Sequence, residues 1–79
     1  MTDEEIVRDI ASVAFDLSVK TDMSTTWACR LATRRWLLDR AREDSLAAIS
    51  LSERVLALRV AIERKFIYTR LTSDMKSGL

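Results

Sequence analysis

The sequence has no histidine and no proline, and it has only one cysteine and one glycine. One cysteine cannot form an internal disulfide, and without histidine the thiol of Cys29 lacks the usual companion ligands of a zinc site. Acid–base chemistry would fall to isolated carboxylates, lysines or one tyrosine, and these form no recognisable constellation. We therefore expect no catalytic residues, no cofactor, no metal and no enzymatic activity.

Long apolar runs are also missing, since none approaches the roughly 18 residues that a membrane span requires. The chain opens on Asp3, Glu4 and Glu5 instead of the basic start of a signal peptide. A lone thiol fits a reducing compartment. With 48% hydrophobic and 32% charged residues, the composition is typical of a folded chain and not of a disordered one. The sequence predicts a folded, cytoplasmic protein with no membrane partner.

The scarcity of glycine, which occurs only at Gly78, disfavours β-hairpins and phosphate-binding loops. Helical periodicity fills most of the chain, so we expect a single all-α domain over residues 1–79. Thr2 and Glu5 have the spacing of a capping box, which marks the start of the first helix. The row that follows recurs every three or four residues and consists of Ile6, Ile10, Val13 and Leu17. A loop is expected over residues 18–24.

The second helix is expected over residues 25–42. Its predicted inward face contains Trp27, Ala28, Leu31 and Leu38. Trp36 lies half a turn from Trp27, so one small core cannot easily cover both indoles. Trp36 is therefore expected to contact another molecule.

Serines and acids over residues 43–50 predict a break, with Ser50 and Glu53 spaced as a second capping box. Because neither proline nor glycine enforces that break, a continuous helix over residues 25–72 remains an alternative. The third helix, residues 51–72, carries two apolar rows. The first row is Leu51, Val55, Leu58, Ile62 and Phe66, and the second is Leu56, Val60, Ile67 and Leu71. Two apolar rows on one helix indicate that the helix packs against two different surfaces.

The predicted fold is a three-helix bundle, in which a helical hairpin packs against a long C-terminal helix and the first of those two rows joins the core. The second row then stays exposed in a monomer, which favours a two-fold homodimer. The expected interface residues are Trp36, Leu56, Val60, Ile67, Tyr68 and Leu71. The predicted function is to bind, and so regulate or inhibit, a larger protein partner.

Charge is distributed unevenly along the chain. Residues 1–22 carry six acids against two bases, a net charge of −4, whereas residues 23–42 carry a net charge of +4. The arginines of this second segment are Arg30, Arg34, Arg35, Arg40 and Arg42. They either neutralise the acidic first helix or bind an external anion such as DNA. An isoelectric point near 7.9 is low for a nucleic-acid-binding protein. A DNA-binding regulator therefore ranks second, as the alternative to the protein-binding function.

Overall fold

A computed structural model describes residues 1–77 of the chain and contains there four α-helices and no strand. The helices are α1 (Asp3–Lys20), α2 (Thr25–Glu43), α3 (Ser45–Ala57) and α4 (Arg59–Ser77). The all-α class is thus confirmed. The expected count of three helices is wrong, because the long C-terminal helix of the prediction is two helices and begins six residues earlier.

The start of α1 is fixed by the capping box that the sequence predicts. The Glu5 amide donates to the Thr2 hydroxyl at 3.2 Å, and the Thr2 amide donates to the Glu5 carboxylate at 3.2 Å. Ser24 caps α2 in a similar way, because its hydroxyl accepts from the Trp27 amide at 3.2 Å. Only residues 21–24 connect the two helices. A connection this short makes α1 and α2 an antiparallel hairpin, as expected.

The inward face of α2 differs from the prediction. Its buried residues are Ala28, Cys29, Ala32 and Trp36, whereas the side chains of Trp27 and Leu38 are more than half exposed. Three of the four buried side chains are small, which lets the axes of neighbouring helices approach α2 closely. Trp36 fills the remaining space at the far end of that face. The prediction was right for Ala28 but wrong for Trp27 and Leu38, because it followed the largest apolar side chains.

A single residue, Asp44, separates α2 from α3. Its backbone is extended, with φ −154° and ψ 102°, and its amide donates to the Arg40 carbonyl at 2.9 Å. Its carboxylate accepts from the amides of Leu46 and Ala47 at 3.1 and 3.2 Å. One residue therefore ends α2 through its backbone and begins α3 through its side chain. The helix therefore breaks within the predicted segment 43–50, but at one residue and not over a loop. The Ser50 capping box is wrong, because Ser50 lies inside α3, and so is an uninterrupted helix over residues 25–72.

The junction between α3 and α4 is gentler. Leu58 has φ −94° and ψ 3°, and its amide donates to the carbonyls of Arg54 and Val55 at 3.1 and 3.0 Å. The ladder resumes at once, because the Ile62 amide donates to the Leu58 carbonyl at 2.9 Å. Residues 45–77 would span roughly 50 Å as one straight helix, and the longest dimension of the molecule is 46 Å. We describe α3 and α4 together as the C-terminal rod.

The hairpin packs along one side of this rod. α1 contacts α2 and α4, and α2 also contacts α3 and α4. The five largest fully buried side chains are Ile6, Ile10, Val55, Ile62 and Phe66. All five were predicted for the core, and Val13, Leu17, Leu51 and Leu58 pack partly buried against it. Arg54 ties the rod to the start of α1, because its guanidinium donates to the Asp3 carboxylate at 2.6 and 2.9 Å and to the Met1 carbonyl at 2.9 Å.

Candidate interaction surface

A row of exposed apolar side chains follows the whole C-terminal rod, and we call it the exposed strip. Its members are Leu46, Ile49, Leu56, Val60, Ile67 and Leu71, with Tyr68 and Met75 at its edge. Their side chains are between 45% and 78% exposed, the lowest value being that of Ile67 and the highest that of Leu46. Leu56, Val60, Ile67, Tyr68 and Leu71 were predicted interface residues, and the fold leaves all five accessible.

The exposed strip lies nearly opposite the face that the rod buries against the hairpin. Val55, Ile62 and Phe66 define that buried face. At 100° per residue, the strip is centred roughly 150° around the axis from it. The adjacent residues Phe66 and Ile67 show the contrast, since the first is fully buried and the second is 45% exposed. Intramolecular packing therefore cannot cover the strip.

Neither end of the strip was predicted from the sequence. Leu46 and Ile49 fell within the segment predicted as a loop, and Met75 fell beyond the predicted end of the last helix. Their spacing continues the three- and four-residue steps of the second apolar row, and that spacing was the signal available. The two parts of the strip follow each other directly along the chain, because the Ile62 amide already donates to the Leu58 carbonyl and the helix resumes without a loop. The strip is consequently one surface and not two.

Trp36 does not belong to this surface. Its side chain is 6% exposed and packs in the core. The Arg40 guanidinium covers the outer side of the ring, 4.8 Å from its centroid. The expectation that Trp36 meets another molecule is therefore corrected, because the small residues of α2 leave room for this indole inside the bundle. At the edge of the strip, the Lys65 ammonium lies 5.5 Å from the centroid of the Tyr68 ring.

A groove of about 830 Å³ lies beside the strip, between α2 and the C-terminal rod. Apolar side chains including Leu37, Val55 and Ile62 line it, and Leu56 and Val60 belong to both the groove and the strip. Its charged side chains are Arg30, Arg34, Arg59 and Glu63. A surface that covers the middle of the strip would therefore also cover one edge of this groove.

Cys29 also lines this groove, but its thiol is poorly suited to chemistry. Burial raises the pKa of Cys29 from 9.0 to about 11, and the negative charge of Glu63 adds to that increase. Only the thiolate form is a good nucleophile or metal ligand. At neutral pH the side chain is therefore a small, protonated, apolar group. Within residues 1–77, no three side chains of the metal-binding types lie close enough together to hold an ion.

The basic segment of α2 and the acidic helix α1 form no direct ion pair in the described residues. Asp3 of α1 pairs with Arg54 of α3, and Arg42 pairs with Asp39 of its own helix at 3.7 Å. The exposed arginines of α2 are Arg30, Arg34, Arg35 and Arg42, and Arg40 is half-buried over Trp36. Arg30 faces the groove, whereas Arg35 and Arg42 line a separate depression with Leu17, Leu31 and Leu38. These predicted anion-contact residues are therefore spread over two sides of the helix.

None of the helices described within residues 1–77 combines the length and hydropathy that crossing a bilayer demands. No family model, curated protein or solved structure matches the chain.

Proposed function

We propose that the protein is a non-enzymatic interaction module of the cytoplasm, which forms a two-fold homodimer and in that form binds and regulates a larger protein. The observation that carries this proposal is the exposed strip, an apolar surface that extends along two helices. A monomer rarely leaves a contiguous apolar patch of more than a few hundred Å² open to water. Two-fold dimers are the commonest closed assembly.

The amount of exposed surface is sufficient for an interface with a second copy of the chain. The chain exposes 5856 Å², whereas a compact monomer of 9.0 kDa is expected to expose roughly 4,850 Å². The excess, on the order of 1,000 Å², is comparable with the approximately 800 Å² that each subunit buries in a standard interface. A second copy could therefore cover what this chain leaves open.

The test combines light scattering with substitutions in the strip. The wild-type protein is expected to have the mass of a dimer at micromolar concentration. Replacing Val60 and Ile67 by Asp places four charges in the dimer interface and should give a monomer with unchanged helical circular dichroism. A matched control is Leu38→Asp, because Leu38 is 54% exposed and Val60 is 53% exposed, but Leu38 lies on α2. That control should remain dimeric, and a monomeric wild-type protein would refute the proposal.

A second candidate function is nucleic-acid binding by α2. The observation that favours it is that the arginines of α2 form no ion pair with α1 within residues 1–77. Phosphate contacts would make such binding strongly dependent on salt. A duplex-DNA gel shift that weakens in salt and in the Arg34→Ala, Arg35→Ala variant would support this function. The buried Trp36 ring is not available to stack on a base.

A further inference from the structure

Between Leu46 and Leu71, two charged residues interrupt the exposed strip. Glu53 lies on it between Ile49 and Leu56, and Arg64 lies on it between Val60 and Ile67, as helical geometry at 100° per residue requires. Both side chains are exposed. Among the side chains of residues 1–75 the ion pairs are Arg42 with Asp39 and Arg54 with Asp3, so neither Glu53 nor Arg64 has a partner among them. An acid and a base thus stand on the surface that the proposed dimer would bury.

These two charges are placed symmetrically about the junction of α3 and α4. Glu53 and Arg64 are each about the same number of residues from the midpoint between Leu58 and Arg59. The apolar members of the strip share this symmetry to within one residue. Counted outward from the midpoint, the matching pairs are Leu56 with Val60, Ile49 with Ile67, and Leu46 with Leu71. Each pair also has nearly the same angular position on the strip.

Two copies of the strip can face each other in parallel or antiparallel orientation. Parallel pairing places each residue against its own copy, so Glu53 would face Glu53 and Arg64 would face Arg64. Like charges held together in an interface are costly. Antiparallel pairing places Glu53 of one copy against Arg64 of the other, twice per dimer, while apolar residues meet apolar residues. Charge complementarity therefore favours the antiparallel arrangement.

We infer that the second copy lies antiparallel along the exposed strip, with the two-fold axis passing close to Leu58 and with Glu53 of each copy paired to Arg64 of the other. This inference rests on the proposed homodimer and adds its orientation and register. Opposite charges at these places also disfavour a shifted register, because a slip of one helical turn leaves both charges against apolar residues.

Cysteine cross-linking tests the orientation directly. Positions 49 and 67 are separated by about 27 Å along the rod, whereas a disulfide joins Cα atoms about 4.4–6.8 Å apart. If the dimer is antiparallel, Ile49→Cys and Ile67→Cys proteins should cross-link on oxidation when mixed, and neither should cross-link alone. Self-cross-linking of each single variant would establish parallel pairing and overturn the inference. The wild type is the control, since Cys29 is only 4% exposed.

Charge reversal tests the register. Glu53→Arg and Arg64→Glu should each raise the dissociation constant of the dimer by about tenfold, because each replaces two attractive contacts by two repulsive ones. The double variant should restore it to within about threefold of the wild type. In a parallel dimer each single reversal would only exchange one like-charge pair for another, so an unchanged dissociation constant in both single variants would contradict the inference. A wild-type protein that is monomeric by light scattering would instead refute the homodimer itself, so the two failures are distinguishable.

Discussion

Individual side chains of α2 show how size decides burial in so small a bundle. Ala28 and Ala32 are fully buried, while the indole of Trp27, one residue before Ala28, is 53% exposed. α2 contacts all three other helices. Small side chains on its inward face let the axes of those helices come close to its own. The same requirement places Cys29 inward and accounts for the raised pKa of its thiol.

The thiol of Cys29 makes stability depend on pH in the alkaline range. The folded protein holds this proton up to a pKa of about 11, whereas the ordinary value is 9.0. Between these values the unfolded chain binds fewer protons than the folded one, so the free energy of unfolding should fall as pH rises from about 9 to about 11. Below pH 9 the group should have no effect.

Urea denaturation across this range checks that prediction. The comparison is with Cys29→Ala, which lacks the thiol but keeps every other side chain. The loss of stability between pH 9 and 11 should be smaller in the variant than in the wild type. Equal slopes in the two proteins would show that burial does not hold the Cys29 proton.

At the scale of helices, Asp44 has two roles in one position. Its carboxylate caps α3, and its extended backbone ends α2. Asp44→Ala removes the acceptor for the Leu46 and Ala47 amides and should lower the free energy of unfolding by about 1 kcal/mol. Chemical denaturation followed by circular dichroism measures this difference.

The matched control for that prediction is Asp44→Asn, which keeps a side-chain oxygen as acceptor. The carboxylate charge lies at the positive end of α3 and also at the negative end of α2, so its interactions with the two helix dipoles oppose each other. The asparagine variant should therefore be about as stable as the wild type. If alanine and asparagine destabilise equally, the charge and not the cap is what matters.

The sequence predicted helix starts better than it predicted faces and junctions. Thr2 was identified because a capping box is a local pattern of four residues. The core residues of α1 and of the C-terminal rod were identified because large apolar side chains there recur on one side. α2 gave no such pattern, since its apolar residues surround the axis and three of its four buried residues are small. Leu58 could not have been identified, because no proline or glycine marks that junction.

The candidate surface, like the fold, was predicted only in part. Five of the six proposed interface residues are exposed on one face, because the second apolar row was read correctly from its spacing. Trp36 was assigned to that surface only because Trp27 had been assigned to the core, so one error produced the other. Leu46 and Ile49 were lost with the supposed loop. Glu53 and Arg64 lie within the helix predicted over residues 51–72, but they were not assigned to the surface.

At the scale of the whole molecule, the C-terminal rod has two apolar sides, and the hairpin covers only one of them. Rod and hairpin together measure 46 × 23 × 18 Å, and a globule that thin cannot bury both sides of its longest element. Stability and self-association should then be linked, because a second copy that binds only the folded chain stabilises it by mass action.

This linkage predicts that thermal stability depends on protein concentration. If unfolding is coupled to dissociation of the dimer, each tenfold increase in concentration should raise the melting temperature by about 3–5 °C for a chain of this length. Circular dichroism melts from 2 to 200 µM, a range of roughly two decades chosen to bracket micromolar affinity, would measure it. Val60→Asp should melt at a lower temperature that no longer varies with concentration, because its monomer retains the core but not the interface. A wild-type melting temperature that is constant over this range would mean that the strip contributes nothing to folding, and the C-terminal rod would then owe its stability to the hairpin alone.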